Sequence, residues 1–492
     1  MSGMDRRNFL KVAGGGAAAL VVGGGLPWLL ESTAFASIPV QTLEFKITDA
    51  MKHMVTHNAV NSATCYFWIF KEKNLPAECP GPIIFTTEGE LISLKVTNDL
   101  DEPHAFSIPG VFRTGPIAPG ATGTYRFRAP RAGSYIYYDN LNEPVNRVMG
   151  LHGAFIVMPK APRRGHKFTP YSRPTASVQK LYDDFGTAHW PGLSWEQGDP
   201  ATNTIAFRQY IWLLHQASPV LFSEVGNYTP GLDYPATQFV NLFNNDPYAD
   251  TFTTGVFNRK PHFFTINGQS GHFVHNDPFS CPNNRVGEPV LIRILNAGLV
   301  LHSMHIHANH VFVTGINGVC QSNPLWVDTF TVKALDTVEY TVPYMRPPDI
   351  PNQLGIGRAD LSKPLFSVNN PPAPGAPGTA HPVWPPVQEL NTFIPAPGAL
   401  LALGLGGNVI DLAVQLSPLC YPMHDHSEAS QGAQGGNYNC GLISGINFIG
   451  DRNTPDPVTG GVTTFPDPPT THGPNATGPG AGTGTGLPGG EI

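Results

Sequence analysis

Short alternating strand patterns, separated by glycine and proline turns, constrain this chain most strongly. Residues 83–98 read as strand, turn, strand, and residues 133–138 (GSYIYY) and 150–157 (GLHGAFIV) follow as two further strands. Strands of this length at this spacing are typical of β-sandwiches. The pattern between residues 45 and 159 therefore predicts a first sandwich domain.

A second series of the same kind begins at residues 205–214. It continues through residues 264–268 and 287–296 and ends near residues 441–449. The chain has 492 residues, which suits two or three domains. Segments that read clearly as the first strands of a sandwich domain occur twice. We therefore expect two sandwiches in tandem and an all-β fold.

The composition supports ordered strands with long loops. Glycine (53) and proline (50) are abundant, charged residues make up only 13%, and a 41% hydrophobic content can build a core. The net charge is −7, and no basic patch favours a nucleic acid or an anionic membrane as partner.

The first residues resemble an export signal. Arg6 and Arg7 precede a glycine-rich apolar run over residues 12–30, and Ala34-Phe35-Ala36 offers small residues for cleavage. This pattern predicts a twin-arginine signal peptide and a periplasmic or extracellular protein with no membrane attachment after cleavage. A membrane anchor is the alternative, but Pro27 and the missing positive charge beyond the run disfavour it.

Changes in amino-acid composition along the chain predict the remaining segment boundaries. The expected boundaries are a signal peptide at 1–36, domain 1 at 38–160, a linker or decoration at 161–204, domain 2 at 205–451 with a proline-rich insertion at 347–397, and a disordered tail at 452–492. Six cysteines in an exported chain suggest disulfides. Proximity in sequence favours the pairs Cys65–Cys79 and Cys420–Cys440.

Histidines concentrate in two segments, HSMHIH at residues 302–307 and PMHDH at residues 422–426. Residues two apart in a strand project to the same face, so His305 points with His307, and His424 points with His426. Four converging imidazoles suit copper, although zinc, iron and nickel also accept imidazole. Histidines that merely fill a polar strand pair are the alternative interpretation.

The strand motifs resemble those of the multicopper oxidase and cupredoxin family. The Pro80-Gly81-Pro82-Ile83 turn, the 133–138 and 150–157 strands, and the HSMHIH and MHDH segments all match its pattern. The resemblance implies tandem cupredoxin-like Greek-key β-sandwiches with long loop insertions. It also implies that His305, His307, His424 and His426 are copper ligands from the family's cluster, and that His302 matches a ligand of its blue type 1 copper.

Departures from the family pattern are as informative. The type 1 cysteine is replaced by Asp425, and the two following type 1 positions fall on Ser430 and Gly435. A blue site requires the thiolate, so we expect no type 1 copper and instead a hydrogen-bonded ion pair between His302 and Asp425. In domain 1 the resemblance leaves only His104, an additional ligand candidate, where the family has two His-x-His pairs.

These observations favour a copper-dependent oxidoreductase with a mononuclear, type 2-like centre that holds about one copper ion per chain. Another divalent metal remains an alternative, and so does assembly into homo-oligomers. A small-molecule substrate or oxygen would occupy the open metal position. The alternative function is a non-catalytic periplasmic structural or interaction protein on a degenerate multicopper oxidase scaffold.

Overall fold

The fold is described from a computed structural model of the chain. The residues that the structure describes are 40–54, 63–185, 193, 195, 207–245, 259–270, 274, 277, 280–284, 288–307, 309–344, 401–403, 409–411, 419–427 and 441–448. The predicted signal peptide, proline-rich insertion and tail lie outside these residues. So do Cys440, Ser430 and Gly435.

Domain 1 consists of two sheets that face each other. One has the strand order β2-β1-β4-β7 and the other has the order β3-β9-β8-β5-β6. Its strands are β1 (Val40–Met54), β2 (Ala63–Glu72), β3 (Ile84–Thr87), β4 (Leu91–Asn98), β5 (Ser107–Ile108), β6 (Phe112–Arg113), β7 (Thr122–Arg128), β8 (Gly133–Tyr138) and β9 (His152–Met158).

Domain 2 repeats the two-sheet arrangement. Its sheets have the orders β11-β10-β13-β18-β15-β16 and β12-β22-β21-β14-β17, and β19 and β20 form a separate pair. Its strands are β10 (Gln209–Ala217), β11 (Phe263–Ile266), β12 (Asn283–Asn284), β13 (Val290–Asn296), β14 (His302–Ile306), β15 (Val311–Ile316), β16 (Val319–Val327), β17 (Thr329–Val332), β18 (Thr337–Val342), β19 (Leu401–Leu403), β20 (Val409–Asp411), β21 (Leu419–Asp425) and β22 (Ile443–Phe448).

Four described helices decorate the sandwiches: α1 (Val145–Val148), α2 (Ala176–Asp184), α3 (Pro219–Gly226) and α4 (Ala236–Asn245). Helix α2 lies in the segment predicted as a linker or decoration. Its Tyr182 packs with Trp195 in a second buried apolar cluster that also contains Leu291 of domain 2. The described part of this segment is thus packed against the second sandwich. No described helix is long and apolar enough to cross a membrane.

The two domains share a buried core and several polar contacts. One apolar cluster contains Phe67 of domain 1 and Phe222 of domain 2, whose rings meet edge to face at 5.5 Å. Arg147 of α1 donates from Nη1 to the carbonyls of Ala297 and Gly298, both at 2.5 Å. Since Arg147 is only 2% exposed, these contacts tie α1 firmly to domain 2.

The predicted all-β fold is confirmed. Strand β8 begins and ends where the alternating pattern at residues 133–138 predicts, and the strands over 83–98 and 287–296 also form. Period-two alternation is a local signal that a half-buried strand must obey, which explains this agreement.

The predicted Cys65–Cys79 disulfide is not formed. Both cysteines are buried free thiols, at 0% and 3% exposure. A disulfide needs a narrow range of Cα separations and Cβ directions, and proximity in sequence fixes neither. The predicted Cys420–Cys440 pair lies outside the described residues, since Cys440 is not among them.

Candidate metal centre

The two histidine segments lie on neighbouring antiparallel strands. Strands β14 and β21 pair so that His305 is directly opposite His424. Along β14 the even-numbered positions His302, Met304 and Ile306 are buried, whereas His305 on the other face is partly exposed. The alternation of the strand therefore separates His302 from His305, which are only three residues apart.

Three imidazoles converge on this face. One ring nitrogen from each of His305, His307 and His424 lies within 4.8 Å of the other two. The Nε2 atoms of His307 and His424 are 2.9 Å apart. His426 is a close neighbour, with its ring centroid 5.2 Å from that of His305, but it does not belong to this group of three. We call His305, His307 and His424 the histidine cluster.

Backbone carbonyls orient two rings of the histidine cluster. His305 donates from Nδ1 to the carbonyl of Asp328 at 3.0 Å, with the Thr329 hydroxyl also 2.8 Å from Nδ1. His424 donates from Nδ1 to the carbonyl of Asp425 at 3.0 Å. Hydrogen bonds of this kind fix the tautomer of metal-binding histidines and leave Nε2 as the ligand atom.

The electrostatic environment favours the neutral form of two rings of the histidine cluster, His307 and His424. Burial lowers the pKa of His307, and the neighbouring imidazoles of His424, His305 and His426 lower it further. Burial also lowers the pKa of His424, with added contributions from His305 and His426, although the Asp425 carbonyl opposes the shift. Neutral imidazole is the metal-binding form, so the donor set fits a copper ion.

His302 is directed away from the histidine cluster. Its Nδ1 lies 2.5 Å from Asp425 Oδ2, so the predicted contact is present. Its Nε2 lies 2.5 Å from Gln216 Nε2. The Gln216 amide is oriented by its oxygen, which accepts from the backbone N–H groups of Leu299 and Val300. The Gln216 nitrogen can only donate, so His302 Nε2 must be an acceptor.

The predicted hydrogen-bonded pair of His302 and Asp425 is present between two fully buried side chains. With Nε2 accepting from Gln216, His302 donates its Nδ1 hydrogen to Asp425. The carboxylate also accepts from the backbone N–H groups of Ser303 and Ser427, at 2.7 and 3.1 Å. Both ring nitrogens of His302 are thus in use, and His302 has no free ligand atom.

Domain 1 contains the same arrangement at the equivalent place. His104 Nδ1 lies 2.6 Å from Asp139 Oδ2, and the other oxygen of Asp139 accepts from the N–H groups of Ala105 and Leu141. Asn146 donates to the Asp139 carboxylate at 2.9 Å. Burial alone would lower the pKa of His104, but the hydrogen bonds to Asp139 and Glu102 outweigh it and raise the pKa.

Sequence comparisons are consistent with this architecture. A family model described as multicopper oxidase matches residues 74–162. The chain is 24% identical over 350 residues to laccase-24 of Oryza sativa subsp. japonica, which covers 64% of this chain and 49% of that protein. It is 33% identical over 96 residues to L-ascorbate oxidase of Cucumis sativus, which covers 17% of this chain and 16% of that protein. The chain is thus similar to multicopper oxidases in sequence, and the family match itself lies within domain 1.

Solved structures of multicopper oxidases resemble the chain over most of its length. The multicopper oxidase mgLAC covers 83% of this chain and 86% of its own, with 17% identity and a TM-score of 0.45. Copper nitrite reductase from Nitrosomonas europaea covers 83% and 94%, with 14% identity and a TM-score of 0.42. Among the sequence relatives, the chain spans about half the length of laccase-24.

The structure brings together some of the predicted site residues and not others. His305, His307 and His424 converge and His426 lies beside them, whereas His302 and His104 are each hydrogen-bonded to an aspartate outside the histidine cluster. Sequence reasoning missed the Asp328 carbonyl and Gln216. A backbone acceptor leaves no signal in the side-chain sequence, and Gln216 lies near the end of strand β10 with nothing to mark its partner.

Proposed function

We propose that this protein is an exported, copper-dependent oxidoreductase with a single histidine-ligated, type 2-like copper site and no type 1 copper. The convergence of His305, His307 and His424 on one sheet face carries the proposal. Copper in such a site would supply one-electron redox chemistry and a Lewis-acidic position for a small molecule or oxygen. The similarity to multicopper oxidases supports copper as the metal.

The protein residues have distinct parts in this proposal. His305 and His424 are held by backbone carbonyls and would offer fixed Nε2 atoms. His307 lies at the exposed edge of the histidine cluster and His426 is exposed beside it. A small molecule would therefore approach from the side of these two residues. The neutral state of His307 and His424 keeps ligand atoms available without loss of a proton.

The first test is the metal content of histidine variants. In purified protein, about one copper ion per chain should give a type 2 electron paramagnetic resonance spectrum. The double variant His305→Ala/His424→Ala should weaken the affinity of this copper by more than about 100-fold, since losing only an outer partner of a ligand costs 10–100-fold. Elemental analysis and copper titration with a competing chelator would measure both effects.

His310→Ala is the matched control for that test. His310 is close to His307 in sequence, but its ring stacks on Trp326 with centroids 5.4 Å apart. Copper binding should be unchanged in this variant. Equal copper content in wild type and His305→Ala/His424→Ala would refute the site. It would favour the alternative function, a non-catalytic protein whose two aspartate-bound histidines replace the lost copper ligands.

Copper affinity should also depend on pH in a defined direction. Protons compete with the metal for imidazole nitrogen, so affinity falls as the pH drops through the ligand pKa. Because the pKa values of His307 and His424 are lowered, this fall should begin at a lower pH than the value of about 6.5 for free histidine. Copper titrations between about pH 4 and 8 would test this, and a decline centred above the free-histidine value would contradict it.

A further inference from the structure

A second group of metal-ligand side chains lies buried between the two domains. Cys79 and His152 come from domain 1 and His215 comes from β10 of domain 2. One ligand atom from each lies within 4.8 Å of the other two. Their exposures are 3%, 0% and 2%, so the group is closed to solvent. It is separate from the histidine cluster.

Both histidines of this buried group are oriented as metal ligands. His152 donates from Nδ1 to the carbonyl of Arg147 at 2.8 Å, and His215 donates from Nε2 to the carbonyl of Val148 at 2.7 Å. The two acceptors are adjacent residues of α1. Each ring therefore keeps its unprotonated nitrogen for another partner, an arrangement typical of ligating histidines.

An unsatisfied atom indicates that the buried group lacks a partner. His152 Nε2 is buried and has no hydrogen-bond partner. Leaving a buried acceptor unpaired costs about 1–3 kcal/mol, so such atoms are rare in folded proteins. The rings of His152 and His215 are close, with centroids 4.4 Å apart. A metal ion bound to both rings would satisfy the orphaned nitrogen.

The backbone packs closely around the Cys79 thiol. Gly150 has a φ of +122°, and a Cβ atom there would lie 3.1 Å from Cys79 Sγ and 2.5 Å from the Trp68 carbonyl oxygen. Lys52 donates to the carbonyl of Cys79 at 2.6 Å. The position of the Cys79 backbone is therefore set by a glycine that allows close approach and by a hydrogen bond that anchors it.

We propose that Cys79, His152 and His215 form a second metal site that binds copper(I) and links the two domains. A thiolate with two neutral imidazoles is a soft, three-donor set, which suits copper(I). The charge of copper(I) would cancel that of the thiolate, whereas zinc(II) or copper(II) would leave a net positive charge in a buried place. No fourth histidine, cysteine or carboxylate joins the group among the described residues, which also disfavours tetrahedral zinc.

Binding of copper(I) at this site releases one proton. Copper(I) forms bonds to Cys79 Sγ and to the two imidazole nitrogens, and the Cys79 S–H proton leaves to solvent with no change of oxidation state. Burial raises the pKa of the Cys79 thiol to about 12, so the metal-free site holds a neutral thiol. Burial lowers the pKa of His152 to about 4 and that of His215 well below its usual value, so both rings are neutral.

The test uses full-length protein in which the histidine cluster has been removed. The His305→Ala/His424→Ala protein, expressed with copper and washed with a copper(I) chelator, should retain about one copper ion that gives no paramagnetic resonance signal. Adding Cys79→Ser should abolish this copper. Adding Cys65→Ser should not, since Cys65 is a neighbouring buried thiol outside the donor group.

X-ray absorption of the unmutated protein tests the site without relying on any variant to fold. We expect a copper(I) component with one sulfur and two imidazole scatterers, beside the histidine-only copper of the histidine cluster. Absence of sulfur scattering, or recovery of zinc in place of copper, would overturn the proposal. A Cys65–Cys79 disulfide found by mass spectrometry would overturn it as well, because the thiolate would be consumed. These results leave the histidine cluster untouched, so the two proposals fail separately.

Discussion

Replacing Asp425 with alanine should lower the free energy of unfolding by about 3–5 kcal/mol. The carboxylate is fully buried and accepts from His302 and from the backbone N–H groups of Ser303 and Ser427. Alanine would leave three donors without these hydrogen bonds. Each such buried donor costs about 1–3 kcal/mol, partly relieved by relaxation or an entering water.

Chemical denaturation would measure the Asp425→Ala effect, with Asp328→Ala as the matched control. Asp328 is also a carboxylate beside a histidine of β14, but its side chain is 51% exposed and lies 3.8 Å from His305. Its removal should cost less than about 1 kcal/mol, as for other surface charges. A similarly small effect for Asp425→Ala would mean that His302 does not depend on this carboxylate.

Replacing Arg293 with methionine should destabilise the protein by about 3–5 kcal/mol, because it leaves a buried carboxylate without its cation. Arg293 of β13 is opposite Glu339 of β18, their charged groups are 4.0 Å apart, and both side chains are completely buried. Arg293 also donates to Gln209 at 2.8 Å and to the Ser134 hydroxyl of domain 1 at 3.1 Å. Burial raises the pKa of Glu339, and the positive charge of Arg293 opposes this shift.

The double variant Arg293→Met/Glu339→Leu separates charge from packing in this test. Replacing both partners with apolar residues of similar size is often neutral or stabilising, so most of the lost stability should return. Denaturation midpoints of the wild type, the single variants and the double variant would give a double-mutant cycle for Arg293 and Glu339. If the double variant is as unstable as Arg293→Met, the lost contacts to Gln209 and Ser134 dominate and the buried charge does not.

The two aspartate-bound histidines, His302 and His104, have similar hydrogen-bonded surroundings. His302 is bonded to Asp425 and Gln216, and His104 is bonded to Asp139. The sequence predicted the contact between His302 and Asp425, which the structure contains. The matching contact in domain 1 was not predicted, since nothing in the sequence near Asp139 marks it as a partner of His104.

The sequence by itself determined the strands, the tandem sandwiches and the common face of His305 and His307, because period-two alternation is a local property of each strand. It did not determine which ring nitrogens are free. Those depend on carbonyls such as that of Asp328, and on pairs such as His215 and Val148, which are 67 residues apart in sequence. The buried group of Cys79, His152 and His215 exists only because two domains pack together, so only the tertiary structure decided it.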